Sequence, residues 1–249
     1  MAVKFHIGCS GYLYREWKNI FYPDKLPQRR WFEYYAKKFD TLELNVTFYR
    51  FPQLSSLQKW YDTSPPDFYF SLKVPRLITH YKQMKDCESL LNDFYDTVEE
   101  GLKEKLGCIL FQFPPKFIYT EERLSLIINS IRKGLKNAVE FRDKSWWDKK
   151  IIQKLKAHDI IFCGISHPLL PDLQEPVFNN KTVYYRFHGI PKLFYSMYGE
   201  EFLQKIADTV MAKKDLKDVF IYFNNTASLA AIKNAEQIRA YTREKQQGS

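Results

Sequence analysis

Short apolar runs rich in β-branched and aromatic residues recur along the chain, and amphipathic stretches fill the intervals between them. The runs predict strands at Phe5–Cys9, Thr41–Asn45, Phe68–Val74, Cys108–Phe113, Ala138–Arg142, Ile160–Ile165, Val183–His188 and Val219–Asn224, each bounded by turn or helix signals. The intervals carry helical spacing. Leu91, Phe94, Val98 and Leu102 form one stripe, Leu124, Ile127, Ile128 and Ile131 a second, and Phe202, Ile206 and Val210 a third. Thr120, followed by Glu121 and Glu122, reads as an N-cap. The stretch from Ala227 to Tyr241 reads as a terminal helix opened by Asn225 or Thr226.

Eight strands alternating with helices over 249 residues match a single (β/α)8 barrel of TIM type, α/β in class, filling residues 1–249 without a linker. A doubly wound open sheet would alternate in the same way. That fold usually carries a glycine-rich phosphate turn, and neither GxGxxG nor GxxxxGK[ST] occurs here.

Composition narrows the setting. No apolar run approaches the roughly 20 residues of a membrane helix, and the start lacks the pattern of a secretory signal. Cys9, Cys87, Cys108 and Cys163 lie far apart with no CxxC pair, which predicts reduced thiols in the cytoplasm. The net charge of +9 is uneven: nine Lys/Arg stand against three acids between Arg132 and Lys156. Such a stretch is usually a solvated helix surface, although it could also attract phosphate or nucleic acid.

The chemistry lies in the phase of the polar residues at the strand ends. Side chains two apart on a strand share a face, so Glu43 pairs with Asn45, Ser71 with Lys73, Glu140 with Arg142, Arg186 with His188, and Tyr222 with Asn224, while Gln112 ends another strand. In a barrel these positions meet at the C-terminal face, where the chemistry of this fold is done. The same residues could form an internal layer of ion pairs, but desolvation offsets much of the attraction in such pairs, so their recurrence at several strand ends favours a site.

Lys73, Arg142 and Arg186 outnumber Glu43 and Glu140, which suits an anionic ligand. His188 and Glu140 are the expected proton carriers, with Glu43 and Lys73 beside them in the catalytic set. Asn45, Gln112, Asn224 and Asn225 supply neutral hydrogen bonds, and His80 reaches the site from the loop after Lys73. A phosphorylated sugar, polyol or nucleotide fits that inventory. No cofactor is expected. A divalent metal on Glu43, Glu140 and His188 is the lesser alternative, because no close-spaced ligand motif occurs and the nearby cations would compete with the ion. Tyr12, Trp17, Phe21, Tyr22, Phe48, Tyr49 and Trp146 cluster around strand-end loops. Core packing is their default, and Trp146 is the first candidate to stack on a ligand.

The blocks IGCSGYLYREWKNIFYP, LELNVTFYRFP, FSLKVPRLITH, LFQFPPKF, VEFRDKSWW, YYRFHG and YFNN, in order and spacing, resemble the YecE-like family, domain of unknown function 72, over nearly the whole chain. The resemblance implies a TIM-type barrel. It also implies that Glu43, Asn45, Lys73, His80, Gln112, Glu140, Arg142, Trp146, Arg186, His188, Asn224 and Asn225 are the family's signature polar positions. It brings no settled reaction, and kinship with sugar isomerases or endonuclease-IV-like barrels is analogy at the level of fold. The expectation is therefore an enzyme acting on a phosphorylated or polyhydroxylated small molecule. The alternatives are a nucleic-acid-binding or repair protein using the 132–156 stretch, and a non-catalytic scaffold barrel.

Overall fold

The computed structural model describes residues 3–248. In chain order the elements are β1 (Lys4–Ser10), α1 (Trp31–Lys38), β2 (Thr41–Leu44), the single-turn α2 (Val46–Tyr49), α3 (Leu54–Thr63), β3 (Tyr69–Lys73), α4 (Glu88–Leu102), β4 (Leu106–Gln112), α5 (Glu121–Ser130), β5 (Lys136–Glu140), α6 (Lys149–Ala157), β6 (Ile161–Phe162), β7 (Gly164–Ser166), β8 (Thr182–Phe187), α7 (Glu200–Met211), β9 (Asp218–Phe223) and α8 (Ala230–Gln247). The fold is α/β and TIM-barrel-like. The chain divides into two compact units, Met1–Glu43 with Gly164–Ser249, and Leu44–Cys163.

In the first unit the strand order is β2-β1-β9-β8-β7, all parallel. Gly8 on β1 is required by close approach, because a Cβ there would lie 2.2 Å from the Thr41 carbonyl oxygen. The N-terminal aromatics fill the core beside this strand. Trp17 and Tyr22 are fully buried, Tyr22 stacks on Trp31 at 4.3 Å, and the Trp17 indole donates to the Ser228 carbonyl. The second unit has the order β3-β4-β5-β6, also parallel, with α3 packed against α4.

Both faces of these strands are covered, and β8 is buried at every position, as expected where helices flank a parallel sheet. The helices follow their predicted stripes closely. Thr120 caps α5, its hydroxyl accepting from the Arg123 backbone N–H, and α4 buries Leu91, Phe94, Val98 and Leu102.

Three elements depart from expectation. The run Ile160–Ile165 is two strands, with β6 paired to β5 and β7 to β8. On α7 the buried stripe is Leu203, Ile206, Ala207 and Val210, with Phe202 at its edge. The last helix starts only at Ala230, because Asn225 is drawn elsewhere, its amide donating to the Ser196 carbonyl. Among the described residues no helix is long and apolar enough to cross a membrane.

Candidate functional site

Parallel strands place their C-terminal ends together, so in the unit Leu44–Cys163 the side chains at the ends of β3, β4 and β5 are neighbours. Lys73 closes β3 and Glu140 closes β5. Gln112, the last residue of β4, is in register with Glu140. Arg142, two residues past Glu140, turns back and donates through Nε to Glu140 Oε1 at 2.5 Å, and its Nη2 pairs with the same oxygen. The Glu140 side chain is fully buried and that of Arg142 is 10% exposed, so one end of this ion pair faces inward and the other reaches the surface. The Cys163 thiol lies 3.8 Å from the second Glu140 oxygen.

Lys73 is half-buried, its Nζ 3.8 Å from the centre of the Phe48 ring, a cation–π geometry that holds the ammonium in place. The loop after β2 is tied to the same strand end, since the Thr47 hydroxyl donates to the Lys73 carbonyl at 2.6 Å. Asn45, just before Thr47, lies beyond β2 at the start of α2 rather than on the strand, and its Oδ1 is buried with no hydrogen-bond partner among the described residues.

His80 sits edge-on to Phe48 at 4.9 Å, with Nδ1 2.9 Å from the Thr79 hydroxyl. Burial, reinforced by Lys73, Arg142 and Arg76, lowers its pKa to about 4, against an opposing pull from Glu140. His80 is therefore a neutral imidazole at pH 7 in a cationic field, with Nε2 left to meet a ligand.

Trp146 does not line this site. It is fully buried, stacked on Phe141 at 3.9 Å and on Phe117 at 5.6 Å, with its indole donating to the Phe117 carbonyl at 2.7 Å. This corrects its expected role as a stacking platform for a ligand: a flat ring slotted between two others is packing.

The basic stretch spans both ends of β5, with Arg132 and Lys133 before the strand and Arg142 after it, while Lys149, Lys150, Lys154 and Lys156 lie on α6. Arg132 is engaged by Asp96 and Glu99, and Lys154 by Glu121.

The other expected residues belong to the first unit. Glu43 and Arg186 form a sealed pair with side chains 0% and 1% exposed, Arg186 Nη2 donating to Glu43 Oε1 at 2.6 Å and the Tyr184 hydroxyl to Oε2 at 2.6 Å. His188 is buried, its Nδ1 3.0 Å from Asn224 Nδ2 and its ring 5.1 Å from that of His167. Asn225 is fully buried and bonds Ser196 and Asn234.

Sequence reading missed Tyr184, Arg76 and Tyr81. Tyr184 was legible, since it stands two residues before Arg186 and must share its face. Arg76 and Tyr81 sit on an irregular helical turn, Leu77–Tyr81 and its cap, for which no period-based signal exists. Among the described residues no three His, Cys, Asp or Glu side chains gather as a metal-ligand group.

Parallel strands alternating with helices, with charged and amide side chains at the C-terminal strand ends, define an α/β protein of TIM-barrel type. The chain belongs to the family described as Protein of unknown function DUF72, whose model matches residues 6–249. It is 24% identical to the UPF0759 protein YunF of Bacillus subtilis, covering 94% of this chain and 93% of that one. It also resembles the crystal structure of a DUF72 family protein from Thermotoga maritima, at 28% identity and a TM-score of 0.86, covering 96% of this chain and 99% of that one. A DUF72 family protein from Enterococcus faecalis, 21% identical with a TM-score of 0.80 over 97% of this chain and 98% of that one, shares the fold.

Proposed function

We propose that this protein is an enzyme that grips the anionic group of a phosphorylated or polyhydroxylated small molecule at the strand ends of the Leu44–Cys163 unit. The observation that carries the reading is the meeting of Lys73, Arg142 and Arg76 around His80, with Glu140 the acid among the groups that act on it. That arrangement leaves net positive charge where a ligand can reach it, and charge-assisted hydrogen bonds are the strong ones. Lys73 and Arg142 hold the anion, neutral His80 exchanges a proton through Nε2, and Glu140 fixes the Arg142 guanidinium. The unpartnered Asn45 oxygen suits a ligand hydroxyl, and Gln112 lies beside Glu140. In the other unit, His188 held by Asn224 remains the second candidate for moving a proton. Four buried free thiols support the cytoplasm as its compartment.

Sulfate tests the anion grip without titrating in the working range. Lys73→Gln should weaken sulfate binding by at least about tenfold, as losing a hydrogen bond to a charged group would; unchanged calorimetric affinity would sink the assignment.

His80 gives a pH signature. A bound anion offsets the repulsion from Lys73, Arg142 and Arg76, so the His80 pKa rises on binding and a proton is taken up. Sulfate affinity should therefore increase as pH falls from about 6.5 toward 4. NMR titration of the His80 ring should show a pKa near 4 without sulfate and a higher one with it. Identical titrations would place the anion elsewhere.

A further inference from the structure

The strand-end cations of the Leu44–Cys163 unit are bordered by a rim of exposed rings that the anion grip does not use. Tyr49 and Tyr81 are 65% and 66% exposed. The Arg76 guanidinium lies 5.7 Å from the Tyr49 ring and 5.5 Å from the Tyr81 ring, so one cation holds both. Tyr49 in turn meets Phe48 edge-on at 5.2 Å, and Phe48 is the ring beneath Lys73 and against His80. Two contacts, Tyr49 to Phe48 and Phe48 to Lys73, therefore join the exposed rim to the anion grip.

Exposed aromatics gathered in one place mark binding surfaces more often than scattered ones do. An arginine set between tyrosines makes a flat, cationic platform suited to stacking. The charge pattern narrows the ligand further. No acid occurs from Leu44 to Tyr61 or from Phe68 to Lys85, the segments that build the rim and the strand end beside it, while Arg50, Arg76 and Lys82 lie within them. A neutral sugar would find no carboxylate there to accept from its hydroxyls, whereas an anion carrying a planar ring meets both features.

We propose that the ligand is a nucleotide, its phosphate held by Lys73 and Arg142 and its base stacked on the Tyr49–Arg76–Tyr81 rim. This rests on the anion-gripping reading above and specifies the class of molecule gripped. Every base offers a π face, so stacking favours a nucleotide over a bare sugar phosphate without selecting among bases.

Calorimetry on the full chain with inorganic phosphate, ribose 5-phosphate and AMP tests it. AMP is expected to bind at least about fivefold more tightly than ribose 5-phosphate, the gain of one stacked base. Tyr49→Ala and Tyr81→Ala, both at exposed positions, are expected to remove that gain while leaving phosphate binding unchanged. Equal binding of ribose 5-phosphate and AMP would overturn the nucleotide and leave the anion grip standing. Failure of all three probes, phosphate included, would overturn the grip and the nucleotide together. A preference for AMP that survives both tyrosine variants would overturn the rim. A short single-stranded oligonucleotide that binds far more tightly than AMP, with a steep loss in salt, would assign the rim to nucleic acid and overturn the mononucleotide.

Discussion

Replacing Arg186 with methionine is expected to lower the free energy of unfolding by about 3–5 kcal/mol, read from denaturant midpoints at constant slope. The substitution removes the cation paired with Glu43 and leaves that carboxylate sealed, still accepting from the Tyr184 hydroxyl. The magnitude comes from desolvation. Each ion is costly to bury by itself, and the 2.6 Å contact to Arg186 offsets that cost only while both are present. The double variant Glu43→Leu with Arg186→Met should therefore be more stable than the sum of the single changes predicts, because it removes both buried charges at once. Simple additivity of the two single costs would mean that water already reaches the pair. A loss below about 1 kcal/mol for Arg186→Met would mean the same, since that is the range of exposed pairs.

Trp146→Ala is expected to cost a similar amount, about 3–5 kcal/mol, through cavity formation. The indole fills the space between Phe141 and Phe117 and satisfies the Phe117 carbonyl, so alanine loses packing and leaves that oxygen unpaired. Trp146→Phe keeps the stacked plane and loses only the donor, which should cost about 1–3 kcal/mol. Sulfate and AMP affinities of the Phe variant should match those of the parent protein. A Trp146→Ala protein of unchanged stability with weakened ligand binding would restore the residue to the site and overturn its assignment to packing.

The outcomes for Trp146 and Arg186 differ from that for Lys73 for a reason invisible in one dimension. Lys73 and Arg186 stand at strand ends and Trp146 in the loop that follows one, and those positions locate them on the chain without saying whether water reaches them. In β8 every residue is buried, so no alternation of exposed and covered positions distinguishes the face that carries Arg186. The same ambiguity hides the break at Cys163, where a continuous apolar run divides its hydrogen bonds between two different partner strands.

By itself the sequence determined most of the strands and helices, the cap at Thr120, the family, and the positions of Glu43 and Glu140 near strand ends. These follow from local periodicity and from side-chain chemistry, which act over a few residues. Only the tertiary structure decided that Glu43 and Arg186 neutralise one another away from solvent while Lys73, His80 and Arg142 keep access to it, and that Arg76 lies between Tyr49 and Tyr81. Burial and charge pairing depend on residues far apart in the chain, as with the 143 positions that separate Glu43 from Arg186, and such long-range contacts leave no periodic trace in the sequence.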